Sequence, residues 1–370
     1  MSMPSGPRVI VVGAGVVGAA CAEALAEAGC RVTVLEGGLA GAGVTAASMG
    51  HVVVMDDSEA QFALSAWSRR RWTERAAELP AECEDSPFGT LWVARDAAEM
   101  DRVRDKAEYY GTRGERVEVL DAAALREAEP RLHPGLAGAL RVPEDRVVYP
   151  PVTTRHFLER ARAHGATLRE RSAVESVEPR RVRVGGTWHE ANLVVVAAGA
   201  ASAQLVPALP IEPRRGHLVI TDRYPGFLRH QVIEVAYHAH ALARESVAFN
   251  VQPRRTGQIL IGSSRELVGW DPSIDTSLRA RMLRRAAEYV PGLSALNALR
   301  TWVGFRPATP DGLPLIGEWE PGLLVAAGHE GLGVTTSLGT ARIITDLALG
   351  HPPAIDPRPF DPRRAEVVRA

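Results

Sequence analysis

Residues Arg8–Val12 form a short β-branched run, R-V-I-V-V, that ends in G-A-G-V-V-G and so places glycines at 13, 15 and 18. The alanine-rich stretch Ala19–Ala28 follows with strong helix propensity, and Gly29 stops it. A second run, Arg31–Leu35, then ends at Glu36. Strand, glycine turn, helix, strand and acid thus occur in register within about 30 residues, the signature of a parallel β-α-β unit built to hold a dinucleotide.

Each part of that unit has a physical task. Gly13 permits the tight turn. Gly15 removes a side chain where the backbone must approach a pyrophosphate. Gly18 lets the helix lie close on the strand. The first helical turn, Val16 and Val17 included, offers N–H groups and the positive end of the helix dipole to phosphates. Glu36, 18 residues after Gly18, can take both ribose hydroxyls and repels a 2′-phosphate, which argues against NADP.

The unit alone does not separate FAD from NAD, because both place an ADP half here. The residues after Glu36 do. Gly37–Gly50 reads G-G-L-A-G-A-G-V-T-A-A-S-M-G, small and flexible enough to lie along an extended cofactor. A polar amphipathic helix over about 59–78 then replaces the second β-α-β unit of a simple NAD dehydrogenase.

Composition excludes several other classes. The chain has 370 residues, 46% hydrophobic and 24% charged, with a formal net charge of −1, so it is globular and has no bulk attraction to nucleic acid or an anionic membrane. Its length fits two domains. Among 43 Lys+Arg residues the single lysine is Lys106. No G-K-[ST] follows the glycine turn, so this is not a nucleoside-triphosphate loop. Lys106 lies in a charged run expected to be a solvated helix face. Cys21, Cys30 and Cys83 form neither a disulfide pattern nor a metal-ligand spacing, and no metal is expected. A strand beginning at residue 8 leaves no room for a signal peptide, and no apolar run is long enough to span a bilayer, so the expected location is the cytoplasm.

Further along, Thr154–Gly165 reads as a helix, and Ala166–Arg171 and Ala173–Glu178 as strands. Asn192–Ala201 is a buried strand running into a glycine turn at Ala198-Gly199, either a second close approach to the cofactor or a plain strand end. Between 205 and 302, alternating runs at 216–221, 246–252 and 258–263 suggest an antiparallel sheet, with a helix at 277–290. Near the end come T-W-V-G-F-R-P-A-T-P-D-G-L-P-L-I-G (301–317) and a third glycine turn, Gly328, Gly331 and Gly333, opening a helix at about 334. Its N-terminus can stabilise negative charge on a flavin's pyrimidine edge.

These motifs together resemble the D-amino-acid-oxidase-type FAD oxidoreductases, the group of glycine oxidase, sarcosine oxidase and D-amino acid dehydrogenase. Residues 46–64 most resemble the D-hydroxyproline dehydrogenase-like branch. The resemblance implies an α/β fold, with a Rossmann-type FAD-binding domain of the glutathione-reductase-like kind and an antiparallel-sheet α+β substrate domain. The first would be assembled from 1–80, 146–205 and 301–370, the second from 81–145 and 206–300. It also implies that Arg306 binds the substrate carboxylate, for which a planar guanidinium is suited; alternatively Arg306 pairs with Asp311. Thr45, Ala46, Ala47 and Met49 would lie along the flavin and its ribityl chain. Val174 would meet adenine through its backbone, and Gly331, Leu332, Gly333, Val334 and Thr335 would bind the pyrimidine edge.

The chain also departs from the family. Glycine-oxidase-like members carry a tyrosine over the flavin in a strand that here reads V-A-F-N-V-Q-P, so Phe249 or Asn250 takes its place. Tyr237, His238 and His240 are candidates from the preceding loop, and His51 and His329 could touch substrate or be structural. No cysteine lies beyond Cys83, so FAD is expected to be non-covalent. The implied reaction is hydride transfer from the α-carbon of a small amino acid to flavin N5, giving an imine. A D-amino acid or a cyclic secondary amine such as D-hydroxyproline or D-proline is the preferred substrate, with O2 or a quinone or protein as acceptor. Glycine or sarcosine oxidation, 2-hydroxy acid oxidation, a homo-oligomer, or a flavin subunit needing a partner remain as alternatives.

Overall fold

The structure, a computed structural model, describes residues 6–240 and 245–364, with 238–240 described for backbone alone. The chain divides into two compact units, Met1–Cys83 with Tyr149–Pro213 and Phe305–Ala370, and Glu84–Val148 with Arg214–Gly304.

In chain order, the first segment holds β1 (Arg8–Val12), α1 (Val16–Glu27), β2 (Arg31–Leu35), the short β3 (His51–Val52) and α2 (Glu59–Arg75). Next come β4 (Thr90–Ala94), α3 (Ala97–Gly111), β5 (Glu118–Asp121), α4 (Ala122–Ala128), β6 (Gly138–Val142) and β7 (Arg146–Val147). Then follow α5 (Pro150–Ala163), β8 (Thr167–Arg169), β9 (Val174–Glu178), β10 (Arg181–Val184), β11 (Thr187–Glu190), β12 (Leu193–Val196) and α6 (Ser202–Leu205). The next stretch carries β13 (Glu212–Thr221), β14 (Gln231–Glu234), β15 (Glu245–Pro253), β16 (Ile259–Glu266), α7 (Thr276–Tyr289) and β17 (Ala298–Ala308). The chain ends with β18 (Leu315–Glu320), β19 (Leu323–Ala327) and α8 (Gly333–Leu349).

The first unit is built on a six-stranded sheet in the order β18-β19-β12-β1-β2-β8. Its five strand pairings are parallel except β18–β19, which is antiparallel. The β-branched strands are buried on both faces, as a covered parallel sheet requires. Ile10, Val12, Val194, Val196 and Val325 share one core with Val182, Val174 and Val177 of the antiparallel sheet β11-β10-β9. Alternation sends Val9 and Val11 to the other face. There α1 packs with α5 and α8.

The second unit is built on an eight-stranded sheet, β17-β13-β16-β15-β14-β4-β6-β5. It is mostly antiparallel, and β14 and β4 pair in parallel. Leu91, Val219, Phe249, Val251 and Ile261 form its core with Met282, Ala286 and Tyr289 of α7. Phe249 stacks on Tyr289 with ring centroids 4.2 Å apart.

One sequence expectation is corrected here. Lys106 is not on a solvated face: it is buried, with its ammonium 4.3 Å from the Trp92 ring centroid and 5.0 Å from that of Tyr110. The charged run around it is exposed on α3, but at position 106 the helix turns inward, and the two aromatic faces receive the cation.

Candidate cofactor and substrate site

Because β1, β12 and β19 are adjacent and parallel, their carboxyl ends lie side by side, and each runs into one of the three glycine turns. Ligands of open parallel sheets bind at such ends. Gly13 has φ +104°, and a Cβ there would sit 2.5 Å from the Ala197 carbonyl oxygen, so the first and second turns touch. A Cβ on Gly18 would lie 2.1 Å from the Gly13 oxygen, which is why α1 can rest so close to β1. At Gly15 a Cβ would meet only the Thr45 hydroxyl, at 3.2 Å, so the missing side chain opens space rather than a helix–strand contact.

Among the described residues, α2, α3, α4 and α7 begin with capping side chains, Ser58, Asp96, Asp121 and Asp275. The helices entered from the first and third glycine turns do not. α1 starts at Gly15 and α8 at Leu332, neither with a capping side chain or an acid in its first turn. Their positive ends are left for an anion. The two starts are neighbours: a Cβ on Gly333 would meet Val17 Cγ2 at 3.8 Å.

Glu36 closes the turn from the other side. Its carboxylate accepts from Ala14 N–H and Gly38 N–H, both at 2.8 Å. Glu36 N–H donates to the Arg169 carbonyl at 2.9 Å, and Ser172 N–H to the Glu36 carbonyl at 2.8 Å. Gly37 then lies against Ala173. These links seat the segment entering Val174 beside the acid. Thr45 is buried, and its hydroxyl accepts from Val16 N–H at 3.1 Å. Ala46 and Ala47 continue as a tight turn, donating to the Gly43 and Val44 carbonyls, and lead to buried Met49. Ala198 and Gly199 follow β12; Gly199 has φ +58°, and a Cβ there would meet nothing nearer than Val44, at 4.0 Å.

The third turn gathers the chemistry. The Thr335 hydroxyl donates to the His51 carbonyl at 2.9 Å and accepts from Val53 N–H at 3.3 Å, while Trp72 Nε1–H donates to the Thr335 carbonyl at 3.1 Å. The first turn of α8, Val334 included, is thereby tied to the strand carrying His51. His51 Nε2 is a buried ring nitrogen with no protein partner, and burial lowers the imidazole pKa to about 4. His329 is buried with Nε2 2.9 Å from the Thr340 hydroxyl, and burial lowers its pKa to about 3. That ring anchors the turn to α8 as a neutral group. Gly328 has φ +78°, where a Cβ would strike Thr309 at 2.7 Å.

Arg306, on β17, lies against this turn: a Cβ on Gly331 would meet its Nε at 3.6 Å. Asp311, the acid of the same motif, is engaged elsewhere. Arg364 Nε donates to it at 2.9 Å, and its carboxylate accepts from Leu313 N–H at 3.1 Å. The acid near Arg306 is Glu330, whose Oε2 is 4.0 Å from Arg306 Nε.

In the second unit, strand alternation separates Phe249 from Asn250. Phe249 points into the α7 core, and Asn250 is buried on the opposite face with Oδ1 lacking a protein partner. The Tyr237 hydroxyl is 3.2 Å from that of Ser263, and the Arg265 guanidinium lies 4.6 Å from the Tyr237 ring centroid. The side chains of His238 and His240 lie outside the described residues.

The donor set of the first unit suits FAD: two uncapped helix starts for anionic groups, a carboxylate beside the first, side-chain-free turns at three strand ends, and an unpartnered buried imidazole nitrogen. Such a sheet and turn set define the dinucleotide-binding class of α/β protein. The comparisons narrow the class. The model of the DAO family, described as FAD dependent oxidoreductase, matches residues 8–347, and the chain belongs to that family. It is 30% identical to a glycine oxidase of Pseudomonas aeruginosa over 96% of this chain and 98% of the relative. It is 28% identical to a D-amino acid dehydrogenase of Xanthobacter autotrophicus, over 80% and 71% respectively. The solved glycine oxidase of Geobacillus kaustophilus superposes with a TM-score of 0.86 at 28% identity, covering 96% of this chain and 98% of the other. The α/β class and the dependence on FAD follow.

Proposed function

We propose that the protein oxidises the C–N bond of a small amino acid, with FAD held non-covalently, and that its preferred substrate is a D-amino acid or a cyclic secondary amine such as D-proline or D-hydroxyproline. FAD, when bound, supplies the two-electron acceptor for the hydrogen leaving the α-carbon. Arg306 holds the substrate carboxylate through paired N–H donors and so fixes which hydrogen is presented. Neutral His51 offers a buried polar atom that a bound ligand can satisfy.

One observation carries this reading: Arg306 stands at the opening turn of α8 while the acid of its own motif, Asp311, is engaged by Arg364. The amino-acid-oxidising names of the relatives at 28–30% identity support it. The test is anaerobic mixing of the FAD-loaded protein with D-proline, both 4-hydroxy-D-proline epimers, D-alanine, glycine, sarcosine, the L-enantiomers and lactate. Loss of the oxidised-flavin absorbance with a cyclic D-amine is the expected result. Bleaching by lactate alone overturns it. Arg306→Lys is expected to raise KM by about 10–100-fold with FAD retention unchanged.

A further inference from the structure

The loop between β17 and β18 carries the residues that follow Arg306, and it leans on the third glycine turn. The Pro307 carbonyl accepts from Glu330 N–H at 3.0 Å, and a Cβ on Gly328 would strike the Thr309 methyl at 2.7 Å. Within the loop, the Thr309 hydroxyl donates to the Leu313 carbonyl at 2.8 Å, and Leu313 N–H to the Asp311 carboxylate at 3.1 Å. One side chain from 53 residues beyond Asp311 then ties this loop down. Arg364 Nε and Nη2 donate to the two Asp311 oxygens at 2.9 and 3.2 Å, and Nη2 also donates to the Leu313 carbonyl at 2.8 Å. A planar fork fixes both partners at once. The Arg364 side chain is 16% exposed, against 87% for Arg358 in its pair with Asp356, so solvent screens the Arg364 pair far less. The segment that brings Arg364 is itself seated: Phe360 is buried, and a Cβ on Gly317 of β18 would meet Pro362 at 3.0 Å. Thus α8 begins at the third turn, and the chain after it returns to brace the loop that leans on that turn.

Resting on the reading that Arg306 holds an amino acid's carboxylate, we propose that Arg364 is a positioning residue for that contact. It acts through Asp311 and Leu313 on the loop that follows Arg306. Removing the fork lets the loop shift, and with it Pro307 and the turn bonded to it. A displacement of about 1 Å in a positioning group costs up to about 100-fold. The Gly13–Gly18 turn and Glu36 take no part in this brace, so the effect falls on the substrate rather than on cofactor retention.

The test follows anaerobic flavin bleaching in the FAD-loaded protein against substrate concentration, which gives an apparent Kd and a limiting rate separately. D-proline, D-alanine and glycine are the probes, and one that bleaches the wild type is carried forward. Arg364→Gln is expected to raise the apparent Kd about 10-fold, with the limiting rate and the affinity for FAD each within about threefold. Arg364→Lys keeps the charge without the fork and is expected to recover part of the loss. Asp311→Asn removes the other end of the pair. Added to Arg364→Gln, it is expected to cost no more than about a further twofold, because the two residues act as one contact. Arg364→Lys and Asp311→Asn are the working variants should Arg364→Gln not fold. An unchanged Kd overturns the proposal, as does a fully multiplicative loss in the double variant. So does a loss of FAD affinity that keeps step with Kd across the variants, which marks a merely structural role. Arg306→Lys is the control: a wild type bleached by none of the probes, or an Arg306→Lys variant with unchanged Kd, removes the underlying reading and this proposal with it.

Discussion

The turns that open α1 and α8 meet at their helix starts but are built by opposite means. The first is all exclusion. Gly13 and Gly18 are glycines because a Cβ would collide with backbone, and the acid that completes the turn, Glu36, reaches in from the end of β2. The third carries its charge on the turn itself: Glu330 has left-handed φ, and Gly331 beside it does not. The first turn is thus written in glycine where backbone crowds it, whereas the third places a charged side chain at a strained position.

Substitutions can break that contrast. Gly18→Ala is expected to have the largest effect, because its Cβ would lie 2.1 Å from a backbone oxygen that cannot move aside. The cost is about 3 kcal/mol or more, and little FAD-bound protein is expected on purification. Gly331→Ala, whose Cβ would make an ordinary 3.6 Å contact with a side chain, is expected to stay within about 1 kcal/mol in thermal unfolding. Next comes Glu36→Ala. It leaves the Ala14 and Gly38 N–H groups without their acceptor and is expected to weaken FAD about 10–100-fold by equilibrium titration.

A pH series sharpens the comparison. Burial holds His51 at about 4 and His329 at about 3, below the ordinary histidine value of about 6.5. Below about pH 6.5 the unfolded chain binds protons that the folded chain refuses, so stability is full above that pH and falls as pH drops towards those values. His329→Asn is expected to flatten the acid side of a Tm-versus-pH curve. The smallest effect belongs to Glu330→Gly. Relief of the left-handed strain is expected to raise stability by about 1 kcal/mol, measured by denaturant unfolding.

Much of the first unit was legible in the order of residues, since its rules are local. β1, α1 and β2 follow from a β-branched run, glycine spacing, alanine content and Gly29. Lys106 was misread because the charges around it mark a solvated face and nothing local announces Trp92 and Tyr110 closing over it. The left-handed conformation of Glu330 and its nearness to Arg306, 24 residues earlier in the chain, were likewise not legible in G-H-E-G-L-G, because both depend on strands brought together in space.

By itself the sequence determined that Arg8–Leu35 would form a parallel β-α-β unit and that an arginine motif would follow late in the chain. Those properties depend on neighbours within a turn or a strand. Only the tertiary structure decided which charges meet: that Asp311 goes to Arg364, that Phe249 rather than Asn250 enters the α7 core, and that Glu330 stands beside Arg306 without closing on it. The physical reason is range. Propensity and glycine conformation act over a few residues, whereas an ion pair or a buried contact depends on strands and turns that topology alone brings together.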